Sequence, residues 1–140
     1  MKVALCQFSM GWETVADNLR RAEGFVAQAD ADLVVLPEMF ATGFVTEPQR
    51  VVQSERGEIV AWMRSTAQRY HVALAGSAIV RSGGRAVNRL FFVRPTGDVE
   101  RYDKRHLFSI GGEDAHFLAG ERRVVVEFGG LRILLLVCYD

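Results

Sequence analysis

Leu33-Val34-Val35-Leu36-Pro37-Glu38 puts four apolar residues in a row, closes them with a proline and follows them with a carboxylate. A run this short, with two β-branched residues at its centre, reads as a buried strand, and Pro37 ends it because proline has no N–H to give a ladder. Just before it, Val15, Leu19, Ala22, Val26 and Ala29 recur at three- and four-residue steps, which predicts an amphipathic helix. Thr14 followed by Asp17 predicts a capping box at its start, with Asp in place of the usual Glu or Gln. Before that, Lys2 to Ser9 is short, apolar and strand-like. Strand, helix, strand is the unit that makes parallel neighbours through a right-handed crossover.

Beyond Pro37 the texture changes twice. Ala41 to Glu55, with Gly43 and Pro48, reads as loop, and Gly57 to Tyr70 as a second helix with a stripe of Ile59, Trp62, Met63, Thr66 and Tyr70. Hairpins follow. Val72 to Val80, Ala86 to Val93 and Val99 to Tyr102 read as strands, separated by Ser82-Gly83-Gly84 and Pro95-Thr96-Gly97. A polar, glycine-bearing loop covers Asp103 to Gly120, and Val124 to Phe128, Gly129-Gly130 and Leu131 to Val137 make a last hairpin. No repeat, low-complexity stretch or linker interrupts this order, so residues 1–140 read as one α/β layered domain with a mixed sheet.

The charge balance excludes some partners. Seventeen basic and seventeen acidic residues cancel without clustering, which argues against a nucleic-acid or anionic-membrane surface. Met1 runs straight into an apolar strand with no signal-peptide pattern, and Leu131 to Val137 is interrupted by Arg132 and too short to span a bilayer. With Cys6 and Cys138 at opposite ends and no secretion signal, a disulfide is not expected, and the sequence reads as a cytoplasmic domain. Among the basic residues, Lys2 and Lys104 are the lysines and the rest are arginine. A lysine in a polar loop then stands out, because the two side chains are not chemically interchangeable.

Chemistry-bearing residues gather at strand ends. Glu38 follows Leu33 to Pro37, Lys104 follows Val99 to Asp103, and Cys138 follows Leu131 to Val137. Singly, each has an ordinary explanation: a solvated carboxylate, a surface amine, a small core thiol. Together they are chemically coherent, since a carboxylate can activate a thiol and an ammonium can hold the charge growing on a carbonyl oxygen. Spacing alone does not bring them together. Cys6, inside a strand, reads as packing, and Asp103 as an orienting neighbour. His106, Glu113, Asp114 and His116 have no recognised metal-ligand spacing, and no phosphate-binding fingerprint opens a helix.

Three motifs carry a resemblance. Val34-Val35-Leu36-Pro37-Glu38-Met39 resembles the glutamate segment of the nitrilase superfamily of carbon–nitrogen hydrolases. Tyr102-Asp103-Lys104-Arg105-His106-Leu107-Phe108 is similar to its lysine motif, and Leu134-Leu135-Leu136-Val137-Cys138-Tyr139-Asp140 to its cysteine motif, in the family's order. Ala4-Leu5-Cys6-Gln7, Gly76-Ser77 and Asn88 agree. The resemblance implies an α-β-β-α sandwich, of which this chain supplies the N-terminal portion: a mixed sheet with two helices on one face.

It also implies hydrolysis of a non-peptide amide, with Cys138 as nucleophile, Glu38 as general base and Lys104 as oxyanion donor beside the backbone N–H of Tyr139. Glu113 lines up with a second family glutamate that positions the lysine and substrate. No metal or organic cofactor is implied. The partner is a small-molecule amide, and the full-length protein is expected to be a homodimer. Arg105 to Phe108, Gly112-Glu113 and Cys138-Tyr139-Asp140 look most like the ω-amidase branch, which acts on monoamides of dicarboxylates such as 2-oxoglutaramate. An N-carbamoyl amino acid or another aliphatic amide is the alternative substrate. The chain ends just after Cys138, where the family continues into a helix. The expectation is therefore a fragment of a longer chain with one sheet face bare. The competing reading is an inactive remnant, or a half-domain that works only with a partner.

Overall fold

The computed structural model describes all 140 residues. β1 (Val3–Leu5), α1 (Val15–Gln28) and β2 (Leu33–Val35) form the crossover unit, with the strands parallel and Val3 opposite Leu33. α2 (Glu58–Tyr70) then leads into β3 (Ala73–Ser82), which lies parallel to β2 with Leu33 opposite Ala73. β4 (Arg85–Val93) and β5 (Val99–Asp103) add antiparallel, completing a mixed sheet in the order β1-β2-β3-β4-β5. β1 and β2 are shorter than their apolar runs, although Cys6 and Leu36 still donate to the neighbouring strands' Val35 and Ala75 carbonyls. The long polar loop is not featureless. It contains a tight turn at Ser109–Gly111 and α3 (Glu113–His116), a single helical turn.

Alternation along the strands sorts the apolar residues onto two faces. Val34, Leu74, Ala78, Val80, Val87, Phe91 and Val93 pack against Leu19, Ala22 and Val26 of α1 and Ile59, Val60, Met63 and Ala67 of α2. Both helices therefore lie on one face, as expected. The opposite face was expected to be bare and is not. A hairpin of β6 (Val125–Phe128) and β7 (Leu131–Leu134) folds across it, and Val126, Leu135 and Val137 bury Leu33, Ala73, Ala75, Phe92 and Tyr102. Its turn works because Gly129 and Gly130 both take positive φ, 57° and 77°. β7 stops at Leu134, short of the predicted Val137; Leu135 N–H still reaches Val124 O (3.0 Å), and the chain then turns at Val137–Asp140. Apolar side chains do remain exposed, at Val3 and Leu5 on β1 and at Leu131, Leu134 and Leu136 on and beside β7.

The capping box at Thr14 does not form. Asp17 pairs with Arg20 (2.9 Å), and Thr14 makes no side-chain bond to the helix. Instead the buried Asn18 accepts from Gly11 N–H (2.7 Å) and donates to the Gly11 and Ala41 carbonyls (2.7 and 2.9 Å). Asn18 thus ties α1 both to the loop before it and to the segment that follows Glu38. No helix is long and apolar enough to cross a membrane.

Candidate active site

Glu38 is set by the turn after β2. Leu36 N–H still donates to Ala75 O (2.7 Å), keeping the chain on the sheet, and then Met39 takes φ 48°. A buried methionine in the left-handed region is uncommon and has to be held there. Its N–H donates to the Ser77 hydroxyl of β3 (2.9 Å), and its carbonyl accepts from Thr42 and Gly43 (3.0 Å each). The carboxylate of Glu38 is thereby aimed along the hairpin-covered face of the sheet.

Lys104 leaves β5 with its N–H on the Asn88 carbonyl (2.9 Å) and its side chain fully buried. Its Nζ donates to Glu38 Oε1 and to Glu113 Oε2, both at 2.8 Å, and sits 5.7 Å from the Phe44 ring centre. Asn88 Nδ2 donates to the same two carboxylates, at 2.8 Å to Glu38 and 3.0 Å to Glu113. Glu113, also fully buried, further accepts from Phe108 N–H (2.7 Å). Burial works against the charge on Lys104, but the hydrogen bonds to Glu113 and Glu38 outweigh it and hold the amine's pKa above its usual 10.5. A buried cation is tolerable because it is fully paired.

Cys138 sits at φ 45°, in a turn just past β7 that Asp140 N–H closes on Val137 O (3.0 Å). Although Cys138 is exposed, the atoms packed around its sulfur desolvate the thiol and push it above its ordinary 9.0, and the charge of Glu38 pushes the same way; Lys104 pulls it down. The thiol, not the thiolate, is therefore the resting form at neutral pH. Tyr139 is exposed, and its N–H donates to no acceptor in the protein. A cavity of about 190 Å³ lies beside Cys138, lined by Glu38, Ala75, Ser77, Leu90 and Val137 among others. A larger one, about 590 Å³, opens beside β5. There Arg89 is already paired with Asp103 and Glu55.

Glu38, Lys104 and Cys138, read from strand ends, and Glu113, read from the family resemblance, thus lie in one neighbourhood. Asp103 does orient a neighbour, but that neighbour is Arg89, away from this cluster. Cys6 and Cys138 are both free thiols, and Cys6 packs against the helix-side core. No three His, Cys, Asp or Glu side chains gather where a metal could bind: Glu113 is turned inward to Lys104, while His106 and Asp114 face solvent. Sequence reading counted Asn88, Ser77 and Asp140 only as parts of motif matches, without a role, and passed over Phe44. Asn88 also stands out as a polar residue inside an apolar strand.

Comparison with known proteins identifies the family. The family model described as carbon-nitrogen hydrolase matches residues 2–140. The chain is 40% identical over 144 residues to the Omega-amidase YafV of Escherichia coli K12, covering 100% of this chain and 55% of that protein. It is 29% identical over 143 residues to the 2-oxoglutaramate amidase of Bacillus subtilis, covering 99% and 55%. The crystal structure of a CN-hydrolase superfamily protein from Xanthomonas campestris, with an arsenic adduct in its active site, superimposes with a TM-score of 0.94 at 38% identity, covering 99% of this chain and 53% of that one. A variant of the amidase from Nesterenkonia sp. AN1, in which acrylamide has added to the active-site cysteine, gives 0.89 at 28% identity, covering 99% and 57%. The chain spans about half the length of the curated relatives it matches. The match over residues 2–140, with a fold that superimposes on solved members, makes this chain a member of the carbon–nitrogen hydrolase family, the nitrilase superfamily.

Proposed function

We propose that this chain carries the catalytic centre of a cysteine amidase that hydrolyses a small non-peptide amide through a thioester, with 2-oxoglutaramate-type monoamides as substrates. The observation that carries the reading is the Lys104 ammonium, buried between Glu38 and Glu113 in the electrostatic neighbourhood of the Cys138 thiol.

Each group has capacity for its role. Glu38 uses only Oε1 to accept from Lys104 and Asn88, which leaves Oε2 for a proton. The Cys138 sulfur attacks the carbonyl carbon while Glu38 takes the thiol proton, as the raised pKa of the thiol requires. An ammonium has three N–H donors. Two of those on Lys104 are spent on carboxylates, and the third, with the Tyr139 N–H, is available to the oxyanion. Losing one such donor typically costs on the order of 10²–10³ in rate. Glu38 then delivers its proton to the leaving nitrogen, ammonia departs and Cys138 holds the acyl group as a thioester. Water deprotonated by Glu38 attacks the thioester, releasing the carboxylic acid and returning the thiol. Glu113 and Asn88 hold Lys104 and Glu38 in place. No cofactor takes part, and the full-length protein acts as a homodimer in the cytoplasm.

The choice of substrate rests on likeness to proteins named as ω-amidase and 2-oxoglutaramate amidase. An N-carbamoyl amino acid or other aliphatic amide is the alternative. The test is ammonia release by the protein from 2-oxoglutaramate and from N-carbamoyl amino acids, with mass spectrometry for an acyl adduct on Cys138. Release from the first alone supports the proposal, and turnover of carbamoyl substrates alone replaces it. A second reading, a half-domain active only with a complementary polypeptide, is favoured by the exposed Val3, Leu5, Leu134 and Leu136 and by the exposure of Cys138 itself. Under that reading the 140-residue chain forms no adduct on its own.

A further inference from the structure

Glu38 and Lys104 hang from the five-stranded sheet, whereas Cys138 hangs from the β6–β7 hairpin, and no strand pairing joins the two sheets. Something other than a ladder must therefore set the distance between the nucleophile and its partners. Apolar packing of Leu135 and Val137 is non-directional and tolerates sliding. Hydrogen bonds fix direction. From Glu121 onward, the polar ties to the rest of the protein are Arg94 donating to the Glu127 carbonyl (2.9 Å), at the far end of the hairpin, and those made by one side chain, Asp140.

We propose that Asp140 is a positioning residue that locks the turn carrying Cys138 to the segment carrying Lys104. The proposal rests on the reading of Cys138 and Lys104 as reacting partners. The Asp140 carboxylate is 1% exposed, and both its oxygens are engaged. Oδ2 accepts from Val137 N–H (3.0 Å), next to Cys138, and from the Tyr102 hydroxyl (2.7 Å), two residues before Lys104. Oδ1 accepts from Arg105 N–H (3.2 Å), His106 N–H (2.9 Å) and His106 Nδ1–H (3.0 Å), directly after Lys104. One carboxylate thus holds the thiol's turn and both sides of the lysine. Burial opposes its charge, but the donors from Tyr102, Val137 and His106 outweigh that and keep it ionised below the usual carboxylate range. Burial, followed by the bond to Asp140, pushes Tyr102 up to about 12, so it stays a donor at any pH of interest.

The test compares Asp140→Ala, Asp140→Asn and Tyr102→Phe with the parent. Displacing a reacting group by about 1 Å costs on the order of 10²-fold in rate. The expected result is therefore a fall of that order in kcat per folded protein for Asp140→Ala, with KM little changed. Asp140→Asn keeps the side chain's size but sets its amide N–H₂ against the Val137 N–H, donor against donor, so kcat should fall comparably. Tyr102→Phe loses one donor and should fall less. Hydrogen–deuterium exchange reads the clamp without turnover: the Val137, Arg105 and His106 amides should exchange faster together in both Asp140 variants. Parent-like kcat in Asp140→Asn, or exchange that speeds at Val137 alone, would overturn the proposal. If the parent releases no ammonia from any amide, this chain is not an amidase by itself, and the exchange result alone decides the clamp.

Discussion

Glu38 meets Lys104 and Asn88 through one carboxylate oxygen, and its charge is one reason the Cys138 thiol is hard to ionise. Two consequences separate on mutation. In Glu38→Gln the base is gone, and hydrolysis should fall on the order of 10²–10⁴-fold. The same change removes the carboxylate that raises the thiol, so the pH inflection of Cys138 alkylation by iodoacetamide should move down toward the ordinary 9.0, with burial still holding it above. Alkylation across pH, followed by mass spectrometry, measures the second effect independently of turnover. An unmoved inflection would mean that Glu38 does not face the thiol. At this scale Glu38, Lys104 and Cys138 were legible because each follows a strand and sits in a motif that resembles one of the family's. The roles of Asn88 and Asp140 were not, since a lone amide or carboxylate shows its partners only once the chain has folded.

At the level of elements, α1 is anchored by a polar residue that hydrophobic periodicity passes over. Asn18 is fully buried and joins Gly11 and Ala41, so the loop entering α1 and the turn leaving Glu38 share one side chain. Asn18→Ala strands a donor and two acceptors, and leaving a buried polar group unpaired costs about 1–3 kcal/mol. Urea titration should show a loss in that range, and a loss well under it would mean that water takes over the bonds. The elements themselves were readable in kind, because periods of two and of three to four residues are properties of the chain. Their ends were less so. The Thr14–Asp17 pair looks like a cap, but Arg20 stands one turn along and takes the carboxylate. β7 stops three residues before its apolar run does.

Across the molecule, one face of the sheet is sealed by α1 and α2, and the other only in part by the hairpin. Leu5 is 79% exposed, and Val3, Leu134 and Leu136 are each about half exposed. Exposed apolar side chains drive association where they join into a patch. The 140-residue chain should therefore associate as its concentration rises in sedimentation velocity, and Leu5→Lys with Leu136→Glu should suppress this while leaving the melting temperature nearly unchanged. A chain that stays monomeric at every concentration would show that this surface is adequately solvated.

By itself the sequence determined the layered α/β class, the crossover unit, both long helices and the strand ends on which Glu38, Lys104 and Cys138 sit. Each of these depends on local periodicity or on proline and glycine chemistry. Only the tertiary structure decided that the β6–β7 hairpin folds over the second face, that Lys104 is shared between Glu38 and Glu113, and that Asp140 spans the two sheets. Those contacts join residues far apart along the chain. Their formation depends on how the layers stack, and no local pattern of residues encodes that.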